Sequence, residues 1–237
     1  MKKLFTLCCA LMLGAMVTNA QVTVKGSKLT DNISVGLAGG VITPTTHHAF
    51  FGDMRPVANL TIAKQLTPIF GLAVEGETGF NTNHLTGLYI HTKNVFDVLN
   101  VNLLGQINLN NLFAGYKGEP RFFEVVAVLG GGWGRDFRSN CGDNNYFASK
   151  AGLNLNFNLG EAKAWQINIK PAITWDLTNS QHWMSYNVNR SALTLLAGVT
   201  YKFKNSNGTH NFEIAKLYDQ AELDALNRSE ERRVGKE

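Results

Sequence analysis

From about residue 32 to residue 203 the chain keeps returning to a two-residue hydrophobic period. That period belongs to β-strands, where successive side chains leave opposite faces. The clearest stretch runs from Phe147 to Leu159, with Phe147, Ser149, Ala151, Leu153, Leu155, Phe157 and Leu159 on one face and Lys150, Gly152, Asn154, Asn156 and Asn158 on the other. Trp165, Ile167, Ile169, Pro171, Ile173 and Trp175 repeat it against Gln166, Asn168, Lys170, Ala172, Thr174 and Asp176. Leu193, Leu195, Ala197, Val199, Tyr201 and Phe203 form a third apolar row, and weaker versions occur near 32–41, 57–66, 69–78, 95–108 and 121–133. Eight strands are therefore expected. Long polar connections near 42–56, 79–94, 134–146 and 178–190 alternate with tight turns near 67–68 and 160–164, and the connection at 109–120 is a longer exception. Long outer loops and short inner turns are the pattern of transmembrane barrels.

Alternation alone would also suit a soluble sandwich or a lipocalin-like carrier, whose apolar faces point inward. The aromatic spacing separates these cases. Phe123 and Trp133, Phe147 and Phe157, and Trp165 and Trp175 each stand ten residues apart on one face, and Tyr201 joins them on the last strand. Ten tilted strand residues cover about 25 Å along a membrane normal, the height of the lipid-facing band between its aromatic girdles. The opposite face carries Glu75, Glu77, Asn100, Asn102, Glu124, Lys150, Asn154, Asn156, Asn158, Lys170 and Lys202. Such groups are costly in a dry core without partners. They predict a polar barrel interior in which Glu75, Glu77 and Glu124 pair with Lys150, Lys170 or Lys202, forming a salt-bridged plug instead of an open pore. The expected fold is all-β: an eight-stranded antiparallel up-and-down transmembrane barrel with a short C-terminal helix outside it. Pro171 conflicts with a closed ladder, and a bulge is expected there.

Composition narrows the classes further. Of 237 residues, 44% are hydrophobic and 17% charged, which excludes disorder. Asparagine supplies about a tenth of the chain, and it disfavours long helices. The mean hydropathy is −0.10, and no apolar run long enough for a membrane helix follows the first 20 residues. Lys2 and Lys3, the apolar stretch Leu4–Val17 and the ending Thr18-Asn19-Ala20 make residues 1–20 a secretory signal peptide, too short to span a bilayer. Without Lys2 and Lys3 the formal charge falls from +4 to about +2, which argues against nucleic acid. Cys8 and Cys9 leave with the signal, so Cys141 has no internal disulfide partner. Residues 21–203 form the barrel, and 204–227 a linker in which Asp219-Gln-Ala-Glu222 reads as a capping box opening a helix. The sequence RSEERRVGKE at 228–237 changes character abruptly and reads as a non-native tail.

The last strand, Leu196-Ala-Gly198-Val-Thr-Tyr201-Lys-Phe203, resembles the C-terminal signal by which outer-membrane assembly machinery recognises its clients, with Leu196 where a polar residue is preferred. Together with NLNNLFAGY at 108–116, FFEVVAVLGGGWGRDF at 122–137, YKFKNSNGTH and YDQAELDALN, the chain resembles the N-terminal barrel of the outer-membrane protein A family over about residues 21–227. That resemblance implies a Gram-negative cell-envelope protein in the outer membrane. It implies contacts with lipids and the assembly machinery, and assembly roles for Gly198, Tyr201 and Phe203. In complete family members a further domain grips peptidoglycan; this chain stops before it, so no such residues carry over.

Other motifs point to ordinary structure. His47-His48 has no carboxylate cluster to complete a metal site. Gly130-Gly131-Gly132-Trp133-Gly134 lacks the Lys-Ser/Thr of a phosphate loop and reads as close backbone approach or curvature. Asp136, Asp143, Asp176, Ser180 and His182 are the polar stock of any outer loop without a nucleophile motif. No catalytic residue, cofactor or metal is expected. The leading expectation is a structural envelope barrel. The alternatives are a surface adhesin presenting Phe50, Phe51, Trp183 and Tyr186 to an external ligand, a lipid-modifying enzyme, and a soluble carrier.

Overall fold

A computed structural model describes residues 23–46, 50–52, 54–80, 95–137, 144–178 and 184–215. Eight strands follow in order: β1 (Ile33–Pro44), β2 (Arg55–Gln65), β3 (Phe70–Phe80), β4 (Phe96–Asn108), β5 (Phe123–Asp136), β6 (Asn144–Leu159), β7 (Trp165–Asp176) and β8 (Ser191–Lys202). Each pairs antiparallel with its sequence neighbour, and β8 pairs with β1, so the sheet closes into a barrel. All eight expected segments are strands, within a few residues at their ends. Among the described residues no helix is long and apolar enough to cross a membrane, which does not bear on a barrel.

The register fixes the strand tilt. Following partners round the ring, Ser34 leads to Ala63, Ala73, Leu104, Gly130, Lys150, Thr174, Ala192 and back to β1 at Pro44, ten residues from the start. At about 3.3 Å per residue and about 4.8 Å between strands, that offset over eight strands gives a tilt of about 40°.

Local chemistry sets the turns. Between β2 and β3 the Thr67 hydroxyl accepts from Phe70 N at 2.9 Å. Between β6 and β7, Gly160 (φ 72°) and Lys163 (φ 51°) take left-handed conformations that reverse the chain within five residues. The exceptional connection at 109–120 contains a helix, α1 (Leu109–Ala114), N-capped by Asn108, whose side chain accepts from Asn111 N at 3.0 Å. Asn110 Oδ1 then accepts from Val125 N at 2.6 Å and pins the turn to β5.

Two expectations need correction. Pro171 does not form a bulge: the registers of β7 with β6 and with β8 are the same before and after it. The ladder to β6 instead skips two pairs, between Gly152–Ala172 and Leu155–Ile169, so the missing N–H is absorbed by an interrupted ladder. The register shift in the barrel lies at Gly79/Phe80, opposite the start of β4. The interior is also not uniformly polar. Ile42, Val57 and Leu196 form one buried cluster, and Ala63, Ala73 and Leu104 another. The expected C-terminal helix at 219–227 and its capping box lie outside the described residues, as do His47, His48, Cys141, Asp143, Ser180, His182 and Trp183.

Candidate functional site

Three regions combine chemistry with position: the barrel interior, the outward belt, and the mouth at the short-turn end. The interior is built from alternate positions of every strand. Glu77 and Lys150 are each 2% exposed, whereas Leu129 and Leu37 on the outward face are 64% and 67% exposed. This is the reverse of a soluble barrel and opposes a lipocalin-like carrier, whose interior should be apolar.

Lys150 reaches across from β6 to β3, where its ammonium sits between Glu75 and Glu77, with Glu77 Oε2 at 2.7 Å. Gly130 stands directly opposite Lys150 on β5 and carries no side chain. Lys170 does not form the expected ion pair; its Nζ donates to Thr61 Oγ1 at 2.9 Å, and that hydroxyl in turn donates to Asn59 Oδ1 at 2.9 Å. Lys202 likewise donates to Asn158 Oδ1 at 2.7 Å, and Asn158 Nδ2 donates to Glu124 Oε2 at 2.9 Å. The two glutamate links of Lys150 are thus direct, whereas Lys202 reaches Glu124 through the Asn158 carboxamide and Lys170 meets the Thr61 hydroxyl, itself 3.4 Å from Glu75 Oε2. Asn100 accepts from the Tyr146 hydroxyl at 2.6 Å, and Asn102, Asn154 and Asn156 are buried on the same face.

Several interior partners had no clear signal in the sequence. Gln166 and Asn168 lie on the expected polar face, whereas Thr61 carries no charge or carboxamide to single it out. The buried Arg55–Asp97 ion pair was missed because Arg55 falls in a segment that reads as loop and Asp97 sits beside the register shift.

The outward belt carries all seven expected aromatics, and register groups them into two tiers. Phe123 and Phe157 are cross-strand partners with rings 5.1 Å apart, and Trp165 and Tyr201 are partners at 4.8 Å, all toward the short turns. Toward the long loops, Trp133 pairs with Phe147, and Trp175 packs edge-on against Tyr186 at 5.5 Å. Phe203 continues the lower tier against Tyr201. Gly198 lies on the β8–β1 seam opposite Ala38.

At the short-turn end the mouth is covered. Residues 203–215 cross beneath it, joined by residues 23–32 and the α1 turn. Tyr116 donates its hydroxyl to Phe212 O at 2.9 Å. Burial, aided by Glu124 and Glu119, holds that phenol above its ordinary pKa and keeps it a donor. Above this cover lies a chamber of about 110 Å³ walled by Asn154, Asn156, Asn168, Lys170 and Lys202. At the other end, Asp176 pairs with Arg190 at 2.6 Å, so this expected loop carboxylate is occupied structurally. Among the described residues no group of three His, Cys, Asp or Glu side chains is placed to hold a metal.

No family model matches the chain, and comparison with curated proteins gives no match. Solved structures do resemble it. The Neisserial surface protein A (NspA) aligns over 76% of this chain and 100% of its own, with a TM-score of 0.51 and 9% identity. The N-terminal β-barrel domain of Pseudomonas aeruginosa OprF aligns over 72% and 97%, with a TM-score of 0.43 and 13% identity. Ail, the attachment invasion locus protein of Yersinia pestis, aligns over 71% and 95%, with a TM-score of 0.40 and 14% identity. The likeness to the Neisserial protein is one of fold: this chain is an eight-stranded antiparallel up-and-down barrel of the same kind.

Proposed function

We propose that this chain is an outer-membrane barrel protein with a structural role in the cell envelope, of the outer-membrane protein A type. The observation that carries the reading is the inverted polarity of a closed barrel: a buried interior of linked glutamates, lysines and asparagines beneath an exposed apolar belt edged by two aromatic tiers. Water rewards neither arrangement, whereas lipid rewards the belt and backbone closure satisfies every strand edge. In this reading Phe123, Phe157, Trp165 and Tyr201 meet the periplasmic interface, and Trp133, Phe147 and Trp175 the external one. Gly198, Tyr201 and Phe203 present the signal read by the assembly machinery. Chemistry at the loops is not part of the proposal, and no cofactor is called for.

The test is cell fractionation with gel mobility before and after heating. An outer-membrane product whose unheated band migrates anomalously is expected; a soluble periplasmic product overturns the reading. Family-type tethering to peptidoglycan is checked by reading the coding DNA past Glu237 for an in-frame cell-wall-binding domain.

A second reading, an external ligand at the loops, is favoured by exposed Phe51, Met184 and Tyr186 at the long-loop end. Cell or ligand binding that survives deletion of these loops dismisses it.

A further inference from the structure

Residues 203–215 are fastened beneath the barrel mouth at several separate points. Ser206 donates from both N and Oγ to the Asp31 carboxylate, at 2.8 and 2.7 Å. Asn205 Oδ1 accepts from Asn32 N at 2.6 Å, while its Nδ2 donates to Asn32 Oδ1 at 2.8 Å. His210 Nδ1 bonds the Lys202 carbonyl at 2.7 Å. Further along, the Phe212 carbonyl and ring both meet Tyr116. Finally, Lys25 N donates to Glu213 O and Ala215 N donates to Thr23 O, both at 2.8 Å, making a two-stranded bridge centred on Val24 and Ile214.

This attachment differs in kind from the barrel wall. Each strand of the wall is held on both sides by a ladder of about ten register partners. Beyond Phe203, whose N–H still bonds the Ile33 carbonyl at 2.9 Å, the segment is held by isolated polar contacts, each of modest net worth, with the ring contacts Tyr116–Phe212 and Tyr201–His210 and one exposed ion pair between Lys25 and Glu213. It can therefore open without disturbing the ladder, as a local unit of low stability.

What it covers is not a packed core. The chamber above has His210, Asn211, Phe212 and Tyr116 in its floor and Lys170 and Thr61 toward its top. Asn168 is 2% exposed and lines this chamber, yet its Oδ1 has no protein partner. A buried carboxamide oxygen of this kind is ordinarily satisfied by water, and the chamber is polar and roomy enough to hold several molecules.

We propose that residues 203–215 are a releasable strap that partly covers the turn mouth of the barrel over a hydrated chamber, and that its release widens the access of small polar solutes from that side to Asn156, Asn168, Lys170 and Lys202. The geometry of the barrel suffices for this; failure of the envelope reading in fractionation would leave it standing, and its own test is read in purified protein.

The test uses the protein refolded in detergent micelles, with Cys8, Cys9 and Cys141 replaced by serine and a probe introduced by Asn156→Cys. The probe is a small charged methanethiosulfonate, and peptide mapping assigns the label. In one arm Val24→Cys and Ile214→Cys lock the strap. This pair is the non-hydrogen-bonded kind, with the flanking residues making the bonds and the side chains close enough for a disulfide. Labelling at position 156 is expected to be at least tenfold slower in the oxidised than in the reduced form. In the second arm, Asp31→Asn, Asn205→Ala and Tyr116→Phe together release the strap and are expected to raise labelling at least tenfold over the parent. Anomalous gel mobility confirms that the barrel is folded in each sample. If the release variant does not fold, the disulfide arm decides alone. Equal rates in locked and reduced forms, or in parent and folded release variant, overturn the proposal.

Discussion

Gly198 lies where β8 closes on β1, and a Cβ built there falls inside van der Waals contact of the Leu37 carbonyl and the Ala38 side chain. A backbone neighbour cannot swing aside, so Gly198→Ala is expected to cost about 1–3 kcal/mol as overpacking. It should lower refolding yield in pure detergent, where no assembly machinery is present. Gly76→Ala, which meets nothing within 4 Å, is the neutral control. A glycine serving only as a recognition signal would leave refolding in vitro untouched. The charged interior makes a second prediction. Lys150→Met leaves Glu75 and Glu77 buried without their cation, and breaking such a pair costs about 3–5 kcal/mol. Replacing all three together, with Glu75→Gln and Glu77→Gln, is expected to recover most of that loss in reversible unfolding. Asp31 supplies a pH prediction. Hydrogen bonds from the Ser206 side chain, the Ser206 backbone and the Lys28 backbone hold its carboxylate below the ordinary value. A lowered folded-state pKa stabilises above the unfolded value of about 4 and is lost as pH falls through the folded one. The protection of amides in residues 205–214, taken relative to their intrinsic exchange rate at each pH, is thus expected to be flat from neutral pH down to about 5 and to fall below about 4, and Asp31→Asn should abolish that step. The charged residues of the network were readable from strand period. Their relays were not, because whether a lysine finds a carboxylate or a hydroxyl depends on reach across the barrel, which period does not encode.

At the scale of elements, alternation located every strand because each has one face toward a polar interior and one toward an apolar outside. The ends were less visible. Pro44 and Arg55 extend β1 and β2 into a stretch rich in proline and histidine that reads as loop. The α1 helix is six residues long, too short for any hydrophobic period to announce it; its sign is the asparagine cap of Asn108 on Asn111. Pro171 shows that a closed ladder can lose a donor without gaining a residue: its outward ring sits where two β6 pairs are simply skipped. The glycine run 130–134 marks a close backbone approach, since added Cβ atoms at Gly130 and Gly132 would collide with the β4 backbone.

For the molecule as a whole, the outward belt is the property most open to challenge. Leu129 stands between Phe123 and Trp133 and is 64% exposed. In a lipid bilayer, Leu129→Arg is expected to cost about 2–4 kcal/mol in reversible folding, as for a cation near the midplane. A cost near zero would show that this face does not meet lipid. Lys64 is the natural contrast: it also leaves the barrel outward, yet at the rim, where its ammonium donates to the carbonyls of Leu29 and Asp31 at 2.7 and 2.8 Å. The even number of strands has one more consequence. Both chain ends leave by the same mouth, and Val24 and Ile214 already lie side by side there. The order in which the strands are synthesised is therefore separable from the order in which they stand in the wall. A circular permutant that joins the chain near those two residues and opens in the connection between β3 and β4 would begin with β4 and end with β3, and would still close the same eight-membered ring.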